Sequence, residues 1–444
     1  MITRSVSHFP AWTPALSLLE QEARALLTRL EKLEPFALHE TMVPAAMPPA
    51  VLNAIDRLLI RGCRQVRRMV QDYLSWLLSP AGRVGPLEVA HRRFRILRLQ
   101  FNVILSQFDI FADALTQRSE HETGVWLAGL DAAAADALAL PGNYYRAPGL
   151  ICYLDRGQGA AIRRARTRLP GGNESPVAVV RVPRERMVGS GVASSLIHEV
   201  GHQAAALLDL VESIRPALLE LQRRGGAESA AWQYWERCLS EILADFWSVA
   251  RVGITSTLGL MGVVTLPKYF VFRLNLDDPH PAPWIRVRLS CAMGRMLFPH
   301  PQWDGLEKIW LSYYPSDDLD RRKRGFLNLL ERAMPGLAEL IARHRPKALG
   351  GASLKEALQT DRRQPSHLAA LFRSWRVSPA PMYEAPPTLV LAVIGQARAA
   401  GSISPEEESR ILSGMLKHWA LRETFAREVD CAKPAGLFST PSSF

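Results

Sequence analysis

Several things are scarce in this chain of 444 residues: cysteine, long hydrophobic runs and acidic side chains. Cys63, Cys152, Cys238, Cys291 and Cys431 lie far apart and form no CxxC pair, which argues against a disulfide framework and against a thiolate metal site. The least polar later stretch, GITSTLGLMGVVTLP over 253–267, is broken by Ser, Thr and Gly and closed by Pro267. It falls short of the roughly 18 to 20 apolar residues that a membrane span needs, so it reads as a buried segment. The opening MITRSVSHFPAWTPALSLLEQ has no basic segment leading into a continuous apolar stretch and a small-residue cleavage site. No secretory signal is expected, and the expected location is cytoplasmic. Internal repeats and low-complexity tracts are also missing.

The acidic shortfall, 43 Asp and Glu against 54 Lys and Arg, leaves a net charge of +11. The arginines arrive in bursts: RGCRQVRR (61–68), HRRFRILR (91–98), RRARTR (163–168) and RRKR (321–324). Solvated helix faces and ion pairs between domains account for them, and so does an acidic partner. Without a zinc-knuckle, RNP-type or helix-turn-helix signature, nucleic acid is not the expected partner.

What is present is ordinary globular composition, 48% hydrophobic and 22% charged, in a chain long enough for two or three domains. Helical periodicity marks residues 15–34 and 50–78, and Phe94, Leu97, Phe101, Ile104, Leu105, Phe108, Phe111 and Leu115 recur at threes and fours. The texture changes at LPGNYYRAPGLICYLDRGQG, and PVAVVRVP (176–183) is β-branched and bounded by prolines, so a small sheet is expected here. Beyond about residue 300 the pattern is helical again, with Ser404, Pro405 and Glu408 resembling a capped helix start. The expected fold is mainly α (α+β): an N-terminal helical domain over 1–135, a catalytic domain over 136–300 with a small sheet before its active helix, and a C-terminal helical domain over 301–444.

The chemistry concentrates in SSLIHEVGHQAAALL (194–208). On a helix, residues four apart differ by about 40° in direction, so His198 and His202 project from one face, one turn apart, as two metal ligands require. Glu199 flanks them, placed to take a proton from a metal-bound water and pass it to a leaving group. Leu196, Ile197, Val200, Ala204, Leu207, Leu208 and Val211 form an apolar stripe on the other side. Downstream, AWQYWERCLSEILADFWSVA (231–250) sets Glu241 and Asp245 opposite a stripe of Trp232, Trp235, Leu239, Ile242, Leu243 and Phe246. These carboxylates face either solvent or the histidines of the first helix, and the small Gly201 and Ala205 beside the histidines favour close approach.

HEVGH followed by EILAD resembles the gluzincin metallopeptidases, the group of thermolysin and the CAAX prenyl endopeptidases, over roughly residues 175–295. The resemblance implies a zincin-like catalytic core with Zn2+ as cofactor: His198, His202 and Glu241 as metal ligands, Glu199 as general base and acid, and Asp245 hydrogen-bonding a ligand histidine. DDPHPAPWIRVRL adds the HPxxxxR element of the prenyl-endopeptidase branch. It implies that His280 and Arg286 lie at the cleft as oxyanion stabilisers. From the residues alone, His280 reads equally as a turn histidine and Arg286 as a structural ion pair. The chain departs from the pattern in the 38 residues between His202 and Glu241 and in lacking transmembrane helices.

The expected activity is a soluble zinc endopeptidase acting on a peptide or protein, with the helical flanks as sites for a protein partner. A substrate strand would pair beside Val177, Val179 and Arg181 if the VAVVRV strand forms a sheet edge. A zinc-containing scaffold without turnover, a non-peptidase zinc hydrolase and a nucleic-acid-associated regulator are the other readings.

Overall fold

A computed structural model describes residues 14–33, 43–156, 159–184, 189–275 and 277–432. The opening residues read above for a leader lie largely outside that range. The chain is 74% helical with one small sheet, mainly α as its periodicity implies.

Three helices, α1 (Pro14–Glu31), α2 (Pro49–Leu78) and α4 (Leu87–Thr116), with the short α3 (Pro80–Val84) between the last two, open the fold. They share a core that includes Leu19, Leu26, Val70, Tyr73, Phe94 and Phe101. Of the periodic residues in α4, Phe94, Leu97, Phe101, Ile104, Phe111 and Leu115 are buried, whereas Leu105 is exposed.

After α5 (His121–Leu138) come β1 (Leu150–Asp155), β2 (Ala161–Arg163) and β3 (Ala178–Pro183), in the spatial order β1-β3-β2. β3 runs parallel to β1, with Cys152 opposite Val180, and antiparallel to β2, with Ile162 opposite Val180. This corrects the expectation of a substrate strand beside Val177, Val179 and Arg181, because β3 is the central strand and both of its edges are taken. The physical reason is in the sequence. A β-branched run without polar alternation signals burial on both faces. Ala178, Val180 and Val182 join the main core, while Val177 and Val179 pack with Ile55, Phe111 and Leu115 of α2 and α4. Arg181 is partly exposed, 3.5 Å from Asp155.

The chain continues through α6 (Ser190–Leu207), α7 (Leu210–Arg224), α8 (Ser229–Arg237), α9 (Leu239–Val252), α10 (Ile254–Val264), α11 (Lys268–Val271) and α12 (Pro283–Leu297). The helix expected over 231–250 is thus two helices that break at Cys238. The 253–267 stretch forms the largely buried α10, and no described helix is long and apolar enough to cross a membrane.

The last region holds α13 (Gln302–Tyr313), α14 (Arg321–Arg343), α15 (Leu354–Ala357), α16 (Pro365–Val377), α17 (Ala380–Glu384), α18 (Pro387–Ala399) and α19 (Pro405–Ala432). Ser404 accepts a hydrogen bond from the backbone of Glu407 at 3.2 Å, capping α19.

The expected boundaries at 135/136 and 300/301 are not boundaries of packing. The first falls inside α5, which packs on β1, α6, α18 and α19. One core runs from Leu127 to Trp419, so residues 136–300 share their interior with the C-terminal helices.

Candidate metal centre

Two helices build the site. Leu196, Ile197, Val200 and Ala204 anchor α6 in the core, leaving His198 and His202 on its other side beneath α9. Gly201 sets the spacing, because a Cβ there would lie 2.9 Å from the Ala244 Cα and 3.1 Å from the Trp247 Cβ. The absent side chain therefore lets the backbones meet. α9 is buried on all sides, and Glu241 and Asp245 sit within it as buried carboxylates. The alternative of a solvated acidic pair does not hold.

The two imidazoles stand edge to face with centroids 4.9 Å apart. His198 Nε2 lies 3.2 Å from Glu241 Oε2, and His202 Nε2 lies 3.4 Å from Glu241 Oε1. One ligand atom each from His198, His202 and Glu241 lie within 4.8 Å of one another. Behind them, Asp245 Oδ1 is 2.8 Å from His198 Nδ1, close but not aligned as a hydrogen bond. The Ser240 hydroxyl is 3.3 Å from His202 Nδ1. Each histidine thus has a polar neighbour on its far nitrogen, which leaves Nε2 facing the shared space.

Arg286 on α12 grips Asp245 with both ends of its fork, Nε to Oδ2 at 2.7 Å and Nη2 to Oδ1 at 2.9 Å. Its side chain is almost wholly buried, so the ion-pair reading describes it better than a group free to meet a substrate oxyanion. His280 is a turn histidine whose ring also reaches the metal-ligand cluster. Its backbone N–H donates to Asp278 Oδ1 at 3.0 Å in the turn before α12, while its half-exposed ring puts Nε2 3.1 Å from Glu241 Oε2.

The charges follow from this crowding. Burial alone would raise the Glu241 carboxyl, but His198, His202 and His280 outweigh it and hold the group far below the usual range. Burial would lower the His198 imidazole, yet Asp245 and Glu241 raise it to about 9. For Glu199 burial prevails over the neighbouring histidines, and its carboxyl is pushed up. A raised carboxyl takes up a proton more readily than an exposed one, as a proton carrier must.

Two nitrogens and a carboxylate oxygen form a donor set that a transition-metal ion accepts. The fit extends to an unsatisfied atom: Glu241 Oε2 is buried and has no aligned hydrogen bond, although two imidazole nitrogens and a guanidinium lie close. A cation among the three ligand atoms would supply the partner that this oxygen lacks.

The site opens into a cleft of about 130 Å³ lined by His198, Glu199, Asp245, His280 and Arg286. Ser194, Ser195, Ser256, Leu260, Val263, Gly159 and Ala160 complete the lining and went unread in the sequence. Helical spacing offers a signal for two of them, since Ser194 and Ser195 lie one turn before His198 on α6. Ser256, Leu260 and Val263 come from α10, whose placement depends on tertiary packing. No known protein family, curated protein or solved structure matches the chain.

Proposed function

We propose that this protein is a zinc-dependent peptidase of the gluzincin kind, with His198, His202 and Glu241 as ligands and Glu199 as base and acid. The observation that supports this reading most is the convergence of the three ligand atoms within 4.8 Å beside a cleft that His198 and Glu199 line. Bound zinc would supply Lewis acidity toward a carbonyl oxygen and make water a usable nucleophile at neutral pH. Glu199 takes the proton from the attacking water and returns it to the leaving amine. Asp245 orients His198 and is itself held in place by Arg286. His280, with its half-exposed ring at the cleft, is positioned to donate to a developing oxyanion.

Because β3 has no free edge, an extended substrate would pair along the outer edge of β2. That strand begins at Ala161, directly after the cleft-lining Gly159 and Ala160. A metal-containing scaffold without turnover is the second reading. A buried Glu199 with a raised carboxyl favours turnover, since a purely structural site needs no base beside the metal.

The test is metal content and hydrolysis of a peptide library by three proteins. Wild type is expected to carry zinc and cleave. Glu199→Gln should keep the zinc and lose roughly 10²–10⁴-fold in rate. Glu241→Ala should lose the metal. Undiminished zinc in Glu241→Ala, or full turnover in Glu199→Gln, rejects the assignment.

A further inference from the structure

The arginine bursts of the first region play no part in the metal centre. Between Arg57 and Arg98 the chain has ten arginines and two carboxylates, Asp72 and Glu88, so this short stretch carries most of the net charge of +11. On α2, Arg57, Arg61, Arg64 and Arg68 fall within about 60° of one another around the helix axis. That direction is opposite to the buried Ile55, Val66, Val70 and Tyr73. On α4, Arg92 and Arg95 likewise point away from the core. Arg64, Arg68, Arg92, Arg95 and Arg98 have no carboxylate partner among the described residues.

Exposed apolar groups accompany this charge. The hairpin formed by α2, α3 and α4 ends in Leu78, Val84 and Leu87, which are 38%, 64% and 46% exposed. The tip is a built turn. Ser79 caps α3 by accepting from the Gly82 backbone at 3.4 Å, and a Cβ on Gly82 would collide with the Trp76 carbonyl at 2.2 Å. Just behind the tip, Arg93 lies over the Trp76 ring, its guanidinium carbon 4.0 Å from the centroid.

We infer that this hairpin tip docks on the surface of an anionic lipid bilayer. At 1.5 Å rise per residue, Arg92 and Arg95 stand about 8 to 12 Å behind Leu87 along α4. Interfacial elements bury their apolar groups roughly 5–10 Å into the boundary between headgroups and acyl chains. Leu78, Val84 and Leu87 at that depth bring the arginines to the level of the lipid phosphates, with Trp76 in the interfacial zone that indoles favour. A nucleic-acid backbone accounts for the arginines but gives no role to three aliphatic side chains at the tip. A bilayer uses both. Docking of this kind needs no spanning helix and is independent of the metal-site reading.

The test is flotation of the full chain with vesicles of phosphatidylcholine alone and with vesicles of phosphatidylcholine and phosphatidylserine in equal parts. Co-flotation is expected with the second and weakened by salt. Arg92→Glu/Arg95→Glu should lower the partition by at least about fivefold per arginine. Leu78→Ser/Val84→Ser/Leu87→Ser changes only exposed side chains and should lose flotation while keeping wild-type circular dichroism and metal content. Should that variant fail to fold, Leu87→Trp in the otherwise native chain offers a second measurement, a blue shift in its emission when anionic vesicles are added. Equal flotation with both vesicle types overturns the inference. So does undiminished flotation of the serine variant. Tight binding to a DNA or RNA duplex without any flotation also overturns it and assigns the arginines to a phosphate backbone.

Discussion

At Asp245 one carboxylate serves two neighbours, the imidazole of His198 and the guanidinium of Arg286. Its removal therefore has two separable effects. Metal can take His198 only after displacing its proton, which the metal-free protein retains up to a pKa of about 9. Affinity for zinc should accordingly rise with pH toward 9 and level off above it. In Asp245→Asn the charge that raises His198 is gone, so the rise should begin at lower pH, while affinity on the plateau falls by roughly 10–100-fold with the loss of the orienting partner. Zinc titration across pH, with a competing chelator, reads both. The same substitution removes the nearer of two carboxylates beside buried Arg286, leaving Glu241 Oε2 at 3.8 Å, and denaturant unfolding should record a loss below the roughly 3–5 kcal/mol of a fully unpaired buried charge. An unfolding midpoint equal to wild type would mean that solvent reaches Arg286.

At the scale of elements, the centre depends on how closely α6 and α9 approach. Gly201→Val should force them apart, costing about 1–3 kcal/mol from overpacking and carrying Glu241 away from the histidines. Reduced melting temperature together with reduced metal content is the expected pair of results; full metal content would show that the helices part without disturbing the ligands. The helices were legible from the sequence because their information is local: HEVGH and EILAD carry the side chains, and the three-and-four periodicity carries the faces. Other features were not local. The position of β3 depends on which strands flank it, and β2, only three residues long, carries too few side chains for alternation to show. The ion pair of Arg286 with Asp245 joins residues 41 apart, and no periodicity links them. The break at Cys238 also escaped periodicity, since the apolar stripe continues across it from α8 to α9.

For the molecule as a whole, changes in texture along the chain mark secondary structure, whereas the core that runs from Leu127 to Trp419 crosses both expected boundaries and leaves α1, α2 and α4 a core of their own. Trp419 on α19 is fully buried, and α18 packs against α9 and α10, the helices beside the metal centre. A chain limited to residues 136–300 should therefore fail to fold, giving no cooperative melting transition and no specific zinc uptake. A sharp transition in that fragment would show that the C-terminal helices are accessories.

The long stretch between His202 and Glu241 is folded into α7 and α8, which pack against each other and return the chain to the place it left. A longer or shorter excursion is compatible with the same centre, because what joins the two ligand-bearing helices is a contact, Gly201 against Ala244, and not a length of chain. Relatives of this protein should then be sought by a small residue at the position three after the first histidine and another three after the glutamate, with any gap between the two motifs. A pattern of fixed spacing would pass over them.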